Sequence, residues 1–440
     1  MSEARSAQST YLLIPILLLS ILLGIAVIRG PALVTLEGLG SAVTVAAPLC
    51  LATYALMAVA IAGRGTVDLA VGPLLAFINV IIVTLNGLDL VTSPLGVFVL
   101  ALGIGIAYQV LFALIIIVVR VQPIIVALSG FLALSGINRV IMTRPGGTAP
   151  DWMSSWGRGD TIFSPVLLLL VLATVGWLLF TLSPFYKHLR MMGYDERAAF
   201  TAGVRGNLVR VGAHVISGIF VALAAICYTA LIASGDPTQG TIMSLTAVTA
   251  VVLGGVSLAG GRGNVLGALL GAINLFLIGY VLATFNFGSV QSFVTQMCYG
   301  LILIVSLLLT LLVPVVGRHI SFITPFSAFM ILGVCVIGIM LTVGIAMPEG
   351  ALPVATTGYD LLPATGAPDV AGFTLTLIQK VLLVAIAVLT LGTIMMRVVV
   401  VEASERRFGV FGHALIAGML VLGLAIVALY SLPNSGGLLK

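Results

Sequence analysis

Residues 211–233 read VGAHVISGIFVALAAICYTALIA. The stretch carries no Asp, Glu, Lys or Arg over a length that, as a helix, covers ~30 Å of hydrocarbon. It also lacks the strict polar–apolar alternation of a barrel strand, so its backbone groups must be satisfied within the segment, and only a helix does that. Residues 162–182 and 297–316 have the same character. The reading that follows is an all-α polytopic membrane protein.

Composition extends this from single segments to the whole chain. Of the 440 residues, 60% are hydrophobic and 8% charged, and the mean hydropathy is +1.26. Soluble domains carry roughly 25% charged residues, so no water-soluble core accommodates this much apolar surface. The net charge of +5 is not gathered into a basic face with aromatic or groove-reading elements, which argues against nucleic-acid binding. Cys50, Cys227, Cys298 and Cys335 sit singly in apolar runs, a pattern of packing residues and not of a metal site or disulfide framework. Residues 11–28 are longer than a signal-peptide core and lack a small-residue cleavage site after them, so they are expected to remain as a first span.

Thirteen candidate spans follow from the polar breaks: 11–28, 41–62, 68–86, 93–119, 122–142, 162–182, 207–232, 241–259, 265–284, 290–316, 322–347, 373–396 and 410–430. With the N-terminus in the cytoplasm, thirteen of the 19 Lys and Arg fall on the cytoplasmic side. Arg29, Arg139, Arg144, Arg158, Lys380 and Lys440 remain outside. The opposite orientation would invert the positive-inside bias. Three spans are not simple rods. Gly72-Pro73 interrupts 68–86, 241–259 opens with Thr241, Ser244 and Thr246 and ends in Gly254-Gly255, and 122–142 carries Gln122-Pro123 and Asn138-Arg139. Broken helices in a membrane must find backbone partners in other protein or in a water-filled cavity; a kink or a packing face is the alternative. Asp68, Asn79, Gln122, Asn138, Ser244 and Thr246 are therefore the candidate pathway residues, set against ordinary interhelical hydrogen bonding. Asp68, at a helix start, can equally cap that helix.

The loop 183–206 is long for a connection between spans. Asp195 can cap a short helix over 196–202 with Gly203 at its stop position. A capped helix outside the bilayer is the form of a coupling helix, docking into a cytoplasmic ATPase through Tyr194, Asp195, Glu196, Arg197, Ala198, Ala199 and Gly203; a plain amphipathic connector is the alternative. The small side chains of Ala198 and Ala199 would let such a helix seat deeply in a partner's groove.

Four motifs sharpen the choice. Gly65-Thr66-Val67-Asp68-Leu69-Ala70-Val71-Gly72, Gln122-Pro123-Ile124-Ile125-Val126-Ala127-Leu128, Asp195-x-x-Ala198-Ala199-x-x-Ala202-Gly203-Val204 and Ala250-Val251-Val252-Leu253-Gly254-Gly255-Val256-Ser257-Leu258-Ala259-Gly260-Gly261-Arg262-Gly263 resemble, in order and spacing, stretches of the ribose-type sugar ABC permeases. The match covers roughly residues 41–316. The resemblance implies a ten-span permease core over 1–316 with its coupling helix at 194–203. It implies a second permease subunit, as homodimer or heterodimer, two ABC ATPase subunits, and a periplasmic or lipid-anchored solute-binding protein delivering a monosaccharide or related small polar solute. ATP and Mg would be bound by the ATPase, since this chain has no phosphate-binding Gly-x-x-x-x-Gly-Lys-Ser/Thr loop and needs no cofactor of its own. Arg139, Arg144 and Arg158, at or beside the periplasmic loop 143–161, would help dock the binding protein. Ala70, Asp195, Ser244 and Thr246 depart from the residues usual in that family. Residues 317–440, about three further spans, have no counterpart in it.

The expected location is the bacterial inner membrane, among its lipids. A secondary active transporter is the rival reading, although such proteins need ionisable groups deep in the bundle. His214, two turns into its span, reads as a packing or interfacial histidine. A membrane enzyme is a weaker rival, with no catalytic constellation in the sequence. A short echo, Gly63-Arg64-Gly65-Thr66-Val67 and Gly261-Arg262-Gly263-Asn264-Val265, hints at two related halves, or at chance in a Gly-rich chain.

Overall fold

The structure, a computed structural model, describes residues 13–63, 67–160, 162–285, 293–302 and 304, all within one compact unit, Thr10–Ser321. The expected spans 322–347, 373–396 and 410–430, the extension they would form, and most of 290–316 lie outside the described residues. So do Arg64 and the first two residues of the first motif, Gly65 and Thr66.

Among the described residues all regular structure is helical, apart from one isolated bridge between Gly146 and Gly235. The helices are α1 (Leu13–Arg29), α2 (Leu36–Ala62), α3 (Val71–Gly87), α4 (Pro94–Leu114, prolonged by a π turn over Ile115–Val119), α5 (Pro123–Ile141), α6 (Asp151–Gly157), α7 (Pro165–Thr181), α8 (Pro184–Tyr194), α9 (Glu196–Thr201), α10 (Gly206–Ile232), α11 (Gly240–Leu253) and α12 (Val265–Ala283), with α13 at Phe293–Ile302. The first nine expected spans each fall on a helix. By length and composition, five helices among the described residues could cross a membrane unaided, at Glu37–Ala62, Pro94–Val119, Pro123–Ile141, Gly206–Ile232 and Val265–Ala283. A sixth crossing would be α7 with α8, which meet at a 75° bend. The expected count of ten therefore includes helices too short to cross alone, α3 and α11 among them.

Two long helices form the frame. α2 is 89% buried over its most apolar window, against 22% for α5, and α10 packs along both α2 and α4. The α4–α10 crossing is tight because glycine meets glycine. A Cβ on Gly105 would strike the Gly218 carbonyl, and one on Gly218 would strike that of Gly105. Such small-residue contacts let backbones approach where lipid supplies no hydrophobic drive to associate. The outer helices turn apolar side chains outward, with Val99 64%, Leu132 63% and Leu172 61% exposed. That is a cost in water and none in lipid.

The loops gather at two ends of the frame. At one, Gly159 abuts Ser41 near the start of α2, Gly157 abuts Ala230 near the end of α10, and Gly146 pairs with Gly235. At the other, Gly63 at the end of α2 abuts Gly193 and Gly260. Arg139, Arg144 and Arg158 belong to the first end, all three exposed.

The crossing generates a test. Gly218→Ala should lower the thermal midpoint of the solubilised chain through an overpacking cost of ~1–3 kcal/mol. Gly103→Ala, where nothing lies within 4 Å of the added Cβ, should change stability by less than ~0.5 kcal/mol. Equal midpoints would mean that α4 and α10 do not cross here.

Candidate functional site

α3 and α11 are short, 17 and 14 residues, or about 26 and 21 Å at 1.5 Å per residue. Both begin inside the bundle. Ile242, Met243 and Thr246 of α11 share a cavity with Ser41, Ala42, Val45 and Leu49, and Val248 and Val251 lie beside Leu56 and Ala60. α11 therefore runs alongside α2 in the same direction, starting part-way down it. The starts of the two short helices touch: a Cβ on Gly72 would overlap the Gly240 carbonyl, and one on Gly240 would lie 2.7 Å from the Pro73 Cα.

A helix start leaves backbone N–H groups without partners inside the helix, and inside a membrane bundle other protein groups must take them. At the start of α3 the Ser244 side chain of α11 takes one of them. The Gly72 N–H donates to Ser244 Oγ at 3.1 Å. The Ser244 hydroxyl lies 2.6 Å from the Leu69 carbonyl and 3.1 Å from that of Gly240, and donates to one of them. Asn138 Nδ2 donates to the Pro73 carbonyl at 3.0 Å. Asp68 Oδ1 accepts from the Ala70 N–H at 2.9 Å, so Asp68 closes the turn leading into α3, while the N-cap position itself is held by Ala70. The expected pathway residues Asp68, Asn138 and Ser244 thus meet around one turn of backbone, Leu69–Pro73.

The other three lie apart. Asn79 is fully committed: Nδ2 donates to Thr229 Oγ1 at 2.9 Å and to the Ser234 carbonyl at 3.0 Å, and Oδ1 accepts from the Asp236 N–H at 2.8 Å. It fastens α3 to the end of α10 and the segment before α11. Thr246 donates to its own helix at the Ile242 carbonyl, 2.8 Å, and faces a cavity of about 630 Å3 lined also by Gln239, Phe276, Tyr280 and Tyr299. Gln122 is exposed at the start of α5, in a separate cavity of about 650 Å3 with Arg120, Asn207 and Arg210. One suspected break is not there: 122–142 is a continuous helix from Pro123 to Ile141. Gly136 and Asn138 sit inside it without interrupting it.

A second polar chain escaped the sequence reading. Gln109 Nε2 donates to Asp68 Oδ2 at 2.6 Å, and its Oε1 lies 2.6 Å from His214 Nδ1. Since the amide nitrogen serves the carboxylate, the amide oxygen must accept, and Nδ1 carries the imidazole proton. All three side chains are buried, and the Phe112 ring lies 4.8 Å from that of His214. His214 is indeed a packing histidine, but it is also the anchor of Asp68. The available signal was Gln109 itself, a lone amide in the apolar run 94–119.

At the opposite end of the α3 loop lies the expected coupling segment. α8 leaves α7 at 75° and buries Tyr186, Leu189 and Met192. It is followed at once by α9, whose cap is Asp195: Oδ1 accepts from the Arg197 and Ala198 N–H groups at 2.8 and 3.1 Å. α9 stops at Thr201, and Gly203 turns the chain at φ +84°, a conformation that favours glycine. Arg210 pairs with Glu196 at 3.0 Å and ties α9 to α10. Tyr194, Arg197 and Ala198 face outward. Ala199, expected to seat in a partner's groove, is turned inward and 1% exposed, while Phe200 is 78% exposed. A six-residue helix has one inward stripe, and Ala199 occupies it beside Val204, whose N–H it receives.

Among the described residues no group of three or more His, Cys, Asp or Glu could hold a metal ion. The family described as branched-chain amino acid transport system / permease component matches residues 38–309. The chain is similar to the ribose import permease protein RbsC of Escherichia coli K12, 28% identical over 249 residues, 55% of this chain and 76% of that protein. The Bacillus subtilis protein of the same name is 29% identical over 252 residues, 56% of this chain and 76% of that protein. The galactofuranose transporter permease protein YtfT of Escherichia coli K12 is 31% identical over 216 residues, 48% of this chain and 62% of that protein. No solved structure matches the chain.

The helix start can be probed directly. Ser244→Ala leaves the buried Gly72 N–H without its acceptor and should cost about 1 kcal/mol or more. Thr246→Ala removes only a bond to its own helix and should cost less than ~0.5 kcal/mol. Thermal midpoints that fall equally would deny Ser244 its part in holding α3.

Proposed function

The chain belongs to the branched-chain amino acid transport system / permease component family, and from that premise we propose that it is the membrane-spanning permease subunit of an ABC importer carrying a sugar. It is a multi-pass inner-membrane protein, with an ATPase and a solute-binding protein as the partners its family implies. The finer architecture is a ten-span core over 1–316, N-terminus in the cytoplasm, with about three more helices over 317–440. Two such permease subunits would sit on two ATPases that bind ATP and Mg. Arg139, Arg144 and Arg158, exposed at one end of the bundle, would meet the binding protein.

The observation that carries the reading is the α8–α9 projection. It is a rigid object on the outside of a bundle: capped by Asp195, held by the Arg210–Glu196 pair, and tipped with an exposed phenylalanine. A connector needs none of this. Its outer face, Arg197, Ala198 and Phe200 together with Tyr194 and Asp195, is the surface assigned to the ATPase, and the inward Ala199 with Gly203 sets its shape. A sugar is favoured because the similar proteins are named for ribose and galactofuranose, and because Asn138 and, in two separate cavities, Thr246 and Gln122 offer hydrogen bonds without charge. Asn138 keeps a buried Oδ1 without a partner. Asn79, with its amide fully committed, stands in the pathway only as a strut.

Phe200 is the place to test it. Aromatic anchors at interface centres are worth about 2 kcal/mol or more, so Phe200→Asp should weaken ATPase association about 30-fold. Membrane abundance should be unchanged, because the ring packs against nothing in the bundle that its loss would open. Uptake should fall with co-purification of the ATPase. A Phe200→Asp permease that retains both would reduce the projection to a connector and remove its support for the ABC reading.

A further inference from the structure

Three segments distant in sequence meet at the root of the α8–α9 projection with no side chain between them. They are the end of α2 at Gly63, the end of α8 at Gly193, two residues before the α9 cap, and the loop Gly260–Gly263 between α11 and α12. A Cβ on Gly193 would overlap the Ile61 carbonyl and the Gly261 N–H nitrogen, and one on Gly260 would overlap the Gly63 Cα. The contact is also hydrogen-bonded. The Gly261 N–H donates to the Ile61 carbonyl at 3.0 Å. Arg190 Nε donates to the Gly261 carbonyl and the Tyr186 hydroxyl to that of Gly263, each at 3.3 Å.

The covalent continuations from this junction make it more than a packing detail. Eight residues beyond Gly63 the chain enters α3 at Val71, and a few residues before Gly260 it leaves α11 at Leu253. These are the two short helices whose starts touch at Gly72 and Gly240. One element, the root of the coupling helix, is therefore clamped to the loops of both. Backbone seated on backbone has no rotamers with which to absorb a displacement, and packed contacts of this density transmit strain.

Resting on the permease reading above, we propose that Gly193 and Arg190, seated on Gly63 and Gly260–Gly261, are the positioning residues through which movement of the coupling helix reaches α3 and α11 together. The contact with the ATPase lies further out, at Tyr194–Phe200, so docking and transmission belong to neighbouring but separate residues. Loosening the junction leaves the ATPase bound and turning over while the pathway no longer follows it.

The test uses the complete complex of permease, ATPase and binding protein, with Gly193→Ala and Arg190→Met as variants. Gly193→Ala forces the three backbones apart; Arg190→Met keeps the apolar stem and removes the donor to Gly261. Both should co-purify the ATPase as the unmodified chain does, with basal ATP hydrolysis unchanged. Solute taken up per ATP hydrolysed should fall about tenfold or more, within the usual range of coupling between sites. If Gly193→Ala fails to accumulate in the membrane, Arg190→Met, which adds no bulk at the junction, decides alone. Unaltered uptake per ATP in the variants that fold overturns the proposal. Loss of ATPase binding overturns it too, since the junction would then serve docking. Should the unmodified complex show no solute-stimulated ATP hydrolysis, the permease reading fails and not merely this inference.

Discussion

A helix that begins inside a membrane bundle must find partners for its first backbone groups, and the rest of this structure answers that demand. α3 and α11 both start part-way through, and they start against each other, with Gly72 on Gly240. Ser244 then stands close enough to accept from the Gly72 N–H and to donate to a carbonyl at the same turn. Asn138 serves the Pro73 carbonyl from α5. Any side chain at Gly72 or Gly240 would separate the helices and leave the Gly72 N–H without its acceptor, at a cost of the order of 1–3 kcal/mol.

The segments leading into the two short helices are held by the same kind of chemistry. On one side Asp68 is gripped by Gln109, which is gripped in turn by His214. On the other, Asn79 holds the Ser234 carbonyl and the Asp236 N–H. Buried polar side chains in a membrane bundle are read as either glue or pathway, and in these segments they are glue. Part of this glue joins helix to helix, as between Gln109 and His214 or Asn79 and Thr229, and part holds the irregular backbone that leads into α3 and α11. The result is a frame made of α2 and α10 with two short helices hung from it.

Much of this architecture is visible in one dimension. The apolar runs locate nine helices, Gly72-Pro73 marks the late start of α3, Gly254-Gly255 marks the end of α11, and Asp195 with Gly203 brackets α9. What these share is locality: caps, breaks and stop positions act on backbone a few residues away. The contacts that make the site do not. Ser244 and Gly72 are 172 residues apart and Gln109 and His214 are 105 apart, so no local pattern reveals which polar residue serves which. The inward turn of Ala199 was hidden for another reason, since a six-residue helix has too few positions for a periodic face to declare itself. The continuity of α5 through Gly136 and Asn138 shows that a glycine close to a polar residue does not by itself break a helix.

The permease reading makes transport depend on a nucleotide and not on an ion gradient, because the moving part is a helix outside the membrane pushed by another subunit. The most direct measurement is sugar uptake by sealed right-side-out membrane vesicles holding this chain with its ATPase and binding protein, loaded with ATP, in the presence of a protonophore. Uptake that persists when the gradient is collapsed and stops when ATP is omitted is the expected result. Uptake that follows the gradient and proceeds without ATP would contradict the assignment and leave a secondary transporter in its place.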